Sequence, residues 1–458
     1  MNIQSNSQNA VLSVKEKVAY ALGDTASNLY WRLFDVFLFI FYTDVFGIPA
    51  ATVGTMMLAA RLVDAFSDPF MGALADRTNT RWGKFRPYLL WGGIPLLAAG
   101  VLTFTVPDLG DSGKVIWAYL TYIAMMLAYT FINVPYGAMM GIMTGDTQQR
   151  TTLSSFRFIG AFSGGTIVAY FTPSLVEWLG NGDVERGWQL TLVVYGTIAL
   201  IMYTLCFAAC KERVHAIAPQ SHSPFRDIKD LLSNKPWLVL FVLALVIMLT
   251  ISIRASSGTF YLKYFLERED LISNYMTLYM ISLAVGAAST PLLTRFFDKR
   301  VLLIGLMVVV AVLACAQYFV GKEQVTLHFA IQGLIGLCLG PKSPLVFSMY
   351  ADTADYSEWR TNRRSTAMVF SAAAFSQKLG GALAGYIIGM VLGSMGYMPN
   401  MTQSPESQHG IILLMTVIPG VFALAAAACI HFYPLSSAQL EKVQSDLAKR
   451  KLEGQYDT

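Results

Sequence analysis

Residues 51–76 read ATVGTMMLAARLVDAFSDPFMGALAD. Within the apolar run from Thr52 to Leu74, Asp64 and Asp68 stand four residues apart, with Arg61 about one turn earlier. On a helix this spacing stacks both carboxylates on one face and puts the arginine beside them. Each carboxylate inside a bilayer costs roughly 2.5–3.5 kcal/mol on insertion scales. A chain keeps such a cluster only where something offsets that cost, and a bound cation is the simplest candidate. Neutralisation of one carboxylate by Arg61, or by Arg157 further along, is the plainer alternative.

Composition supports the membrane setting. Of 458 residues, 55% are hydrophobic and 14% charged, against about 25% charged in soluble domains. The mean hydropathy is +0.50, and the apolar excess runs along the whole length. The longest polar interior stretch, Lys211–Lys235, is too short to bury a core. Met1–Ser13 is polar and lacks the pattern of a secretory signal, so the first apolar run is expected to act as an uncleaved anchor. The cysteines Cys206, Cys210, Cys315, Cys338 and Cys429 lie in apolar runs without metal spacing and read as small buried hydrophobes. The net charge of +4 does not indicate nucleic acid; its distribution is the informative part.

A spanning helix needs about 20 largely apolar residues. Candidate spans fall at 17–44, 50–75, 87–106, 114–142, 152–175, 187–210, 236–265, 273–295, 300–320, 325–350, 365–394 and 409–433. Lysines and arginines crowd the segments that share a side with the termini, while the other side holds only Lys114, Arg186, Lys263, Arg268 and Lys322. The positive-inside rule therefore predicts both termini in the cytoplasm. Residues 1–210 form a first six-helix bundle and 236–433 a second, with a cytoplasmic loop at 211–235 and a tail at 434–458. The halves echo each other weakly: DRTNTRWGKFRP (Asp76–Pro87) and RFFDKR (Arg295–Arg300) are basic turns at matching places. The predicted fold class is an all-α membrane protein of twelve transmembrane helices, in the major facilitator arrangement of two six-helix repeats around a midplane site.

Charged and polar residues inside the spans mark the candidate site. Asp24, Asn28, Trp31, Arg32 and Asp35 follow at spacings that place them on one helical stripe. Facing lipid would be prohibitive, so the stripe faces a bundle interior or a water-filled cavity. Carboxylate and amide suit sugar hydroxyls, and Trp31 offers an apolar face to a sugar ring. The plainer reading is a helix-holding ion-pair set, such as Asp35 with Arg32. The fourth span carries Tyr122, Tyr129, Asn133 and Tyr136, where Asn133 can serve a cation, a hydroxyl or an interhelical hydrogen bond. Arg254, Lys342 and Lys378 are the cations within spans of the second half. Lys378 sits too far from either end to snorkel and is placed to reach across a cavity. Lys342, in GPKSP (Gly340–Pro344), lies where Pro341 and Pro344 break the helix, and it can snorkel.

These residues resemble the glycoside–pentoside–hexuronide:cation symporters, the melibiose-permease branch of the major facilitator superfamily. The likeness covers nearly the whole chain. It rests on KEKVAYALGD (Lys15–Asp24), FYTDVFGI (Phe41–Ile48), RLVDAFSDPFMG (Arg61–Gly72), TRWGKFRP (Thr80–Pro87), NVPYGAM (Asn133–Met139), FRF (Phe156–Phe158) and ADTADYSEW (Ala351–Trp359). The resemblance implies a cation site at Asp64 and Asp68 with Ser67 contributing, a sugar-binding Asp24, sugar-site or cavity roles for Tyr129 and Arg157, and a Lys378 near both sites. Asn133, Gly137 and Ala374 depart from the melibiose carriers, which have an aspartate, a tryptophan and a threonine there. Asn133 followed by x-Pro-Tyr looks more like the glucuronide- and pentoside-type members, and leans the substrate towards a uronide or a small plant-derived glycoside.

The expected function is secondary active symport of a sugar, glycoside or glucuronide with Na⁺ or H⁺ by alternating access, and not an enzymatic one. Cytoplasmic charges, including Asp76, Arg77, Arg81, Asp352, Asp355 and Arg363, are expected to latch the outward-facing state. Glycines in GGTIVAY (Gly164–Tyr170) and KLGGALAGY (Lys378–Tyr386) would permit close helix packing. No cofactor beyond the coupling ion is expected, and no nucleic-acid partner; the expected form is a monomer among lipids of a bacterial inner membrane. An uncoupled facilitator or exchanger and a lipid or drug transporter use the same fold. A membrane-embedded transferase would need paired acids at a membrane edge with a metal, or a nucleophile–base pair, and neither pattern is present.

Overall fold

The computed structural model describes residues 12–144, 147–213, 233–361, 366–435 and 437–452. Most of the predicted central loop, and Arg363 with it, lies outside the described residues. The described chain is almost wholly helical. Successive helices are α1 (Val14–Val36, carried on by Leu38–Ile40), α2 (Ala50–Arg77), α3 (Pro87–Thr103), α4 (Asp111–Met143), α5 (Thr147–Gly180) and α6 (Val184–Ala209). Then follow α7 (Lys235–Phe260), α8 (Ile272–Leu293), α9 (Lys299–Gln317), α10 (Val325–Leu339, resumed at Lys342–Thr361) and α11 (Thr366–Ser394). The last are α12 (Pro405–Met415, resumed at Val417–His431) and the polar α13 (Ser437–Leu452).

Among the described residues nine helical stretches are long and apolar enough to cross a membrane, and α3 is a shorter apolar one. The first two predicted spans, α1 and α2, are not in that set. Asp24, Arg32 and Asp35 in one, and Arg61, Asp64 and Asp68 in the other, dilute their apolar surface. Two interruptions have a proline behind them. Pro341 follows the Gly340 break in α10, and a Cβ at Gly340 would meet the Ala287 N at 2.5 Å. Pro344, expected to break the helix as well, sits in the first turn of the resumed segment, where its missing N–H is not required. In α12, Pro419 cannot donate to the Met415 carbonyl, and the fully buried Arg254 donates to that carbonyl instead at 2.5 Å.

The chain divides into two compact units. One comprises Met1–Pro219, Ala255–Met280 and Gly385–Ile411; the other comprises Gln220–Arg254, Ile281–Ala384 and Ile412–Thr458. In the first, α1 packs chiefly on α5 and α6, and α4 packs on α2 and α3. The α1–α5 contact is made at glycines. A Cβ at Gly164 would come within 2.7 Å of the Thr25 carbonyl, and one at Gly160 would strike the Ala21 carbonyl. Thr25 Oγ1 donates to the Gly160 carbonyl at 3.1 Å across the same seam. In the second unit α9 packs on the resumed segment of α12 and on α10, and α13 lies on the resumed segment of α10. Cys206 on α6 and Cys210 just past its end are buried as expected, whereas Cys315, Cys338 and Cys429 are only half-buried.

Two acidic side chains hold the start of the bundle. Glu212 accepts backbone N–H groups of Lys84, Phe85 and Arg86 at 2.6, 2.8 and 2.8 Å, capping the entry to α3. Gly83, with φ +115°, belongs there because a Cβ would meet the Glu212 carboxylate at 2.7 Å. Next to it Arg213 donates to Glu16 Oε1 at 2.6 Å, while Ser13 and Glu16 form a capping box at the start of α1. Burial alone raises the Glu16 carboxyl, but the Arg213 guanidinium and the Ser13 N–H and hydroxyl outweigh it and hold it below the ordinary glutamate value. A depressed folded-state pKa gives stability that is present above the unfolded value and lost as pH falls through the folded one. Glu16→Gln is therefore expected to destabilise the detergent-solubilised protein at pH 7 by about 1 kcal/mol, the size of one such hydrogen bond. The gap from wild type should narrow as pH approaches 4, which thermal unfolding at several pH values will measure.

Candidate functional site

Asp64 and Asp68 face α4. Thr130 Oγ1 donates to Asp64 Oδ1 at 2.5 Å and lies 3.4 Å from Asp68 Oδ1, so one hydroxyl spans both carboxylates. Asp64 is fully buried and Asp68 half-buried. Ser67 turns its hydroxyl back onto the Asp64 carbonyl at 2.9 Å. Pro69 lies within α2, and its missing N–H leaves the Ala65 carbonyl, one turn back, without its helical donor. The cluster is thus made of oxygen atoms. Asn133, half-buried, adds an amide three residues past Thr130 on α4.

Arg61 stands about one turn before Asp64 on the same helix. Its guanidinium lies over the Trp31 ring, 4.1 Å from the centroid, and its buried Nη1 has no hydrogen-bond partner among the described residues. Trp31 in turn faces Tyr129, with ring centroids 5.8 Å apart. Arginine prefers such an aromatic face where the ring's negative quadrupole is desolvated. Arg61, Trp31 and Tyr129 therefore form one layer joining α2, α1 and α4.

Arg157 pairs with α1. Its Nε donates to Asp24 Oδ1 at 3.2 Å, and its guanidinium lies 5.4 Å from the centroid of Tyr136. Asp24 is buried. Tyr136 and Tyr20 stack at 4.7 Å and exchange hydroxyl-to-carbonyl hydrogen bonds, 2.6 Å from Tyr136 and 3.3 Å from Tyr20. This pair locks α1 to α4 directly behind Asp24, and Gly23 leaves the space the Tyr136 ring occupies. Asn28 spends one amide proton on the Asp24 carbonyl at 2.9 Å. Arg32 and Asp35 form an ion pair at 3.2 Å, which is the plainer alternative reading of that stripe.

The first unit thus brings together Asp24, Asn28, Trp31, Tyr129, Asn133 and Arg157 with Asp64 and Asp68, on α1, α2, α4 and α5. Lys378 is half-buried on the part of α11 that belongs to the second unit, as does Lys342, whose Nζ lies 3.9 Å from the Met248 sulfur. Of the predicted gate, Arg77 and Arg81 are exposed, with Arg81 4.8 Å from the Trp82 centroid. Asp352 takes Lys299 Nζ at 2.9 Å, a partner the sequence did not suggest, and Asp355 is half-buried. The side chain of Asp76 is outside the described residues. Thr130 was also missed. A threonine in an apolar span carries no signal of its own, and only its place on the Asn133 face of α4 hinted at it.

The arrangement of helices is like that of known transporters. It superposes on the crystal structure of a D-xylose–proton symporter with TM-score 0.67 at 12% identity, covering 92% of this chain and 98% of that one. That likeness defines a major facilitator fold. A model of the MFS/sugar transport protein family matches residues 19–437. The uncharacterized symporter YnaJ of Bacillus subtilis (strain 168) is 37% identical over 96% of both chains. The isoprimeverose transporter of Lactiplantibacillus pentosus is 34% identical, over 95% of this chain and 91% of its own. The chain belongs to the MFS/sugar transport protein family, in its glycoside–pentoside–hexuronide symporter branch.

If Thr130 helps hold the carboxylates in register, Thr130→Val should weaken ion binding on the order of tenfold, one charged hydrogen bond's worth. Thr130→Ser, which keeps the hydroxyl, should retain it. Thermal shift of the purified protein against Na⁺ and against pH will report both.

Proposed function

We propose that this membrane protein is a secondary active symporter that moves a sugar or glycoside together with Na⁺ or H⁺. The observation that carries this reading is the Asp64–Thr130–Asp68 cluster, an acidic site in which one hydroxyl spans two carboxylates inside the helical bundle. Carboxylate, hydroxyl and carbonyl oxygens are hard donors suited to Na⁺, and a carboxylate in a partly desolvated position is equally suited to a proton.

Asp24, Asn28, Trp31, Arg32, Tyr129, Asn133 and Arg157 form the sugar site on this reading, with Lys378 contributing from the second half. Trp31 and Tyr129 supply apolar faces for a sugar ring, and Asp24 and Asn133 supply hydrogen-bond partners for hydroxyls. The isoprimeverose transporter among its relatives supports a small sugar or glycoside as the substrate class. A cation at Asp64 and Asp68 removes the repulsion between them and fixes α2 against α4, which carries Tyr129 and Asn133. Sugar and ion then raise each other's affinity by the same factor. The six-plus-six repeats rock about the loaded site to change the exposed face. The distribution of lysine and arginine supports cytoplasmic termini in a bacterial inner membrane. On the cytoplasmic face Arg77, Arg81, Asp352, Asp355 and Arg363, with Asp76, contribute the latch.

Uptake into proteoliposomes under an imposed Na⁺ or H⁺ gradient tests this. One of the two gradients should drive accumulation above equilibrium; mere equilibration under both would identify a facilitator or exchanger instead. Asp68→Cys is expected to abolish cation-dependent uptake while leaving sugar binding measurable by calorimetry. Full accumulation by that variant would remove Asp68 from the ion site.

A further inference from the structure

Two helices of this chain end in the same uncommon way. α1 runs into one π turn at Phe41–Val45 and α7 into another at Tyr261–Phe265. The first closes with Phe46 N–H on the Phe41 carbonyl and Ile48 N–H on the Tyr42 carbonyl, both at 2.9 Å. The second closes with Leu266 on Tyr261 at 3.0 Å and Arg268 on Leu262 at 2.9 Å. Each is followed by a left-handed residue, Gly47 with φ 82° and Glu267 with φ 52°. Phe41 thus corresponds to Tyr261, and Asp44 to Tyr264. Single π turns of this kind recur at functional sites.

The two turns meet on one carboxylate. Asp44 Oδ2 accepts from Lys263 Nζ at 2.8 Å and from the Tyr264 hydroxyl. Oδ1 accepts from Thr43 Oγ1 at 2.8 Å and from the Tyr397 hydroxyl, which follows α11. Asn400 completes the ring: its amide donates to the Asp44 carbonyl at 2.5 Å and accepts from Lys263 at 2.9 Å. The Asp44 side chain is only 2% exposed. All these residues belong to the first compact unit, at the end of α1 remote from the N-terminus.

Two more contacts close the same region. α2 and the last turns of α11 touch backbone to backbone: a Cβ at Gly54 would lie 3.0 Å from the Gly385 carbonyl, and one at Gly389 would lie 2.8 Å from the Gly54 Cα. Directly beside the Asp44 ring is a cavity of about 740 Å³, lined by Lys263, Tyr264, Asn400 and Gln403 among others. Solvent in it can reach the lock.

We propose that Asp44, held by Lys263, Tyr264 and Tyr397, is the lock on the face of the transporter opposite its termini, and that the paired π turns part there to admit substrate. Alternating access requires that contacts sealing one face come undone in every cycle. A buried carboxylate and ammonium cannot separate by degrees in a low dielectric, because each left unpaired costs far more than either bonded or rehydrated. The adjacent cavity supplies the water that rehydrates both, so the lock has two favourable states and little between them. The glycine contact suits this, since backbones that touch without interlocking side chains separate without repacking.

The inference rests on transport by alternating access but on neither the sugar nor the ion. Its test needs neither. Spin labels at Leu109→Cys and Glu269→Cys, both exposed positions of the first unit, are placed in the full-length protein after its native cysteines are replaced. Pulsed dipolar spectroscopy in nanodiscs then reads the distance across this face. Asp44→Asn and Lys263→Gln are each expected to raise the ratio of long to short distances roughly tenfold, as the loss of one charged hydrogen bond would. Asp44→Lys combined with Lys263→Asp should restore much of the short distance. Retention of the parent distribution in both single variants would overturn the proposal, whatever uptake assays show. A variant with a broadened distribution and no cooperative thermal unfolding is misfolded, and the charge-reversed pair then decides: recovery supports the lock, and none refutes it.

Discussion

An ionised side chain in a low-dielectric interior must be surrounded by donors or by opposite charge, and the acidic residues of α1 and α2 meet that demand in different ways. Asp24 takes an arginine from α5, and Asp35 takes the arginine one turn before it. Asp44 gathers a lysine and two tyrosine hydroxyls from distant segments. Asp64 receives the Thr130 hydroxyl, which Asp68 shares at longer range. The first three are answered by charged or hydroxyl side-chain donors. The last joins carboxylate and hydroxyl oxygens, and it is where we propose that a coupling cation binds.

The aromatic and glycine contacts serve this electrostatic arrangement. Arg61 lies about one turn before Asp64 on α2. Trp31, brought in by α1, holds it on an aromatic face at 4.1 Å. Gly160 and Gly164 let α5 approach α1 closely enough for Arg157 to reach Asp24. The reciprocal Tyr20–Tyr136 hydrogen bonds fix α4 against α1, so that Tyr129 and Thr130 face different partners from neighbouring positions. The Asp24–Arg157 pair thus depends on glycine and tyrosine contacts that carry no charge.

Much of this could be read from residues in order. Apolar runs of spanning length, the stripe Asp24–Asn28–Trp31–Arg32–Asp35 and the stacked pair Asp64–Asp68 all follow from helical periodicity. The Arg32–Asp35 ion pair was legible for the same reason, since both ends lie on one helix. Thr130, Glu212 and Lys299 were not legible as partners. Each is an ordinary residue where it stands, and its importance comes from a carboxylate or an N–H group supplied by another helix. Pro344 was misjudged for a local reason: a proline breaks a helix in its interior and is harmless in its first turn.

Sequence alone determined that this chain is a bundle of membrane-spanning helices with charges that could not face lipid, because span length, periodicity and charge pattern are properties of one segment at a time. Tertiary structure decided which charge answers which. Arg157 went to Asp24, Arg61 to Trp31, and the Thr130 hydroxyl to Asp64 and Asp68. That choice depends on distances of a few ångströms between helices far apart in the chain, set by glycines and aromatic rings at their crossings, and no spacing along the sequence encodes it.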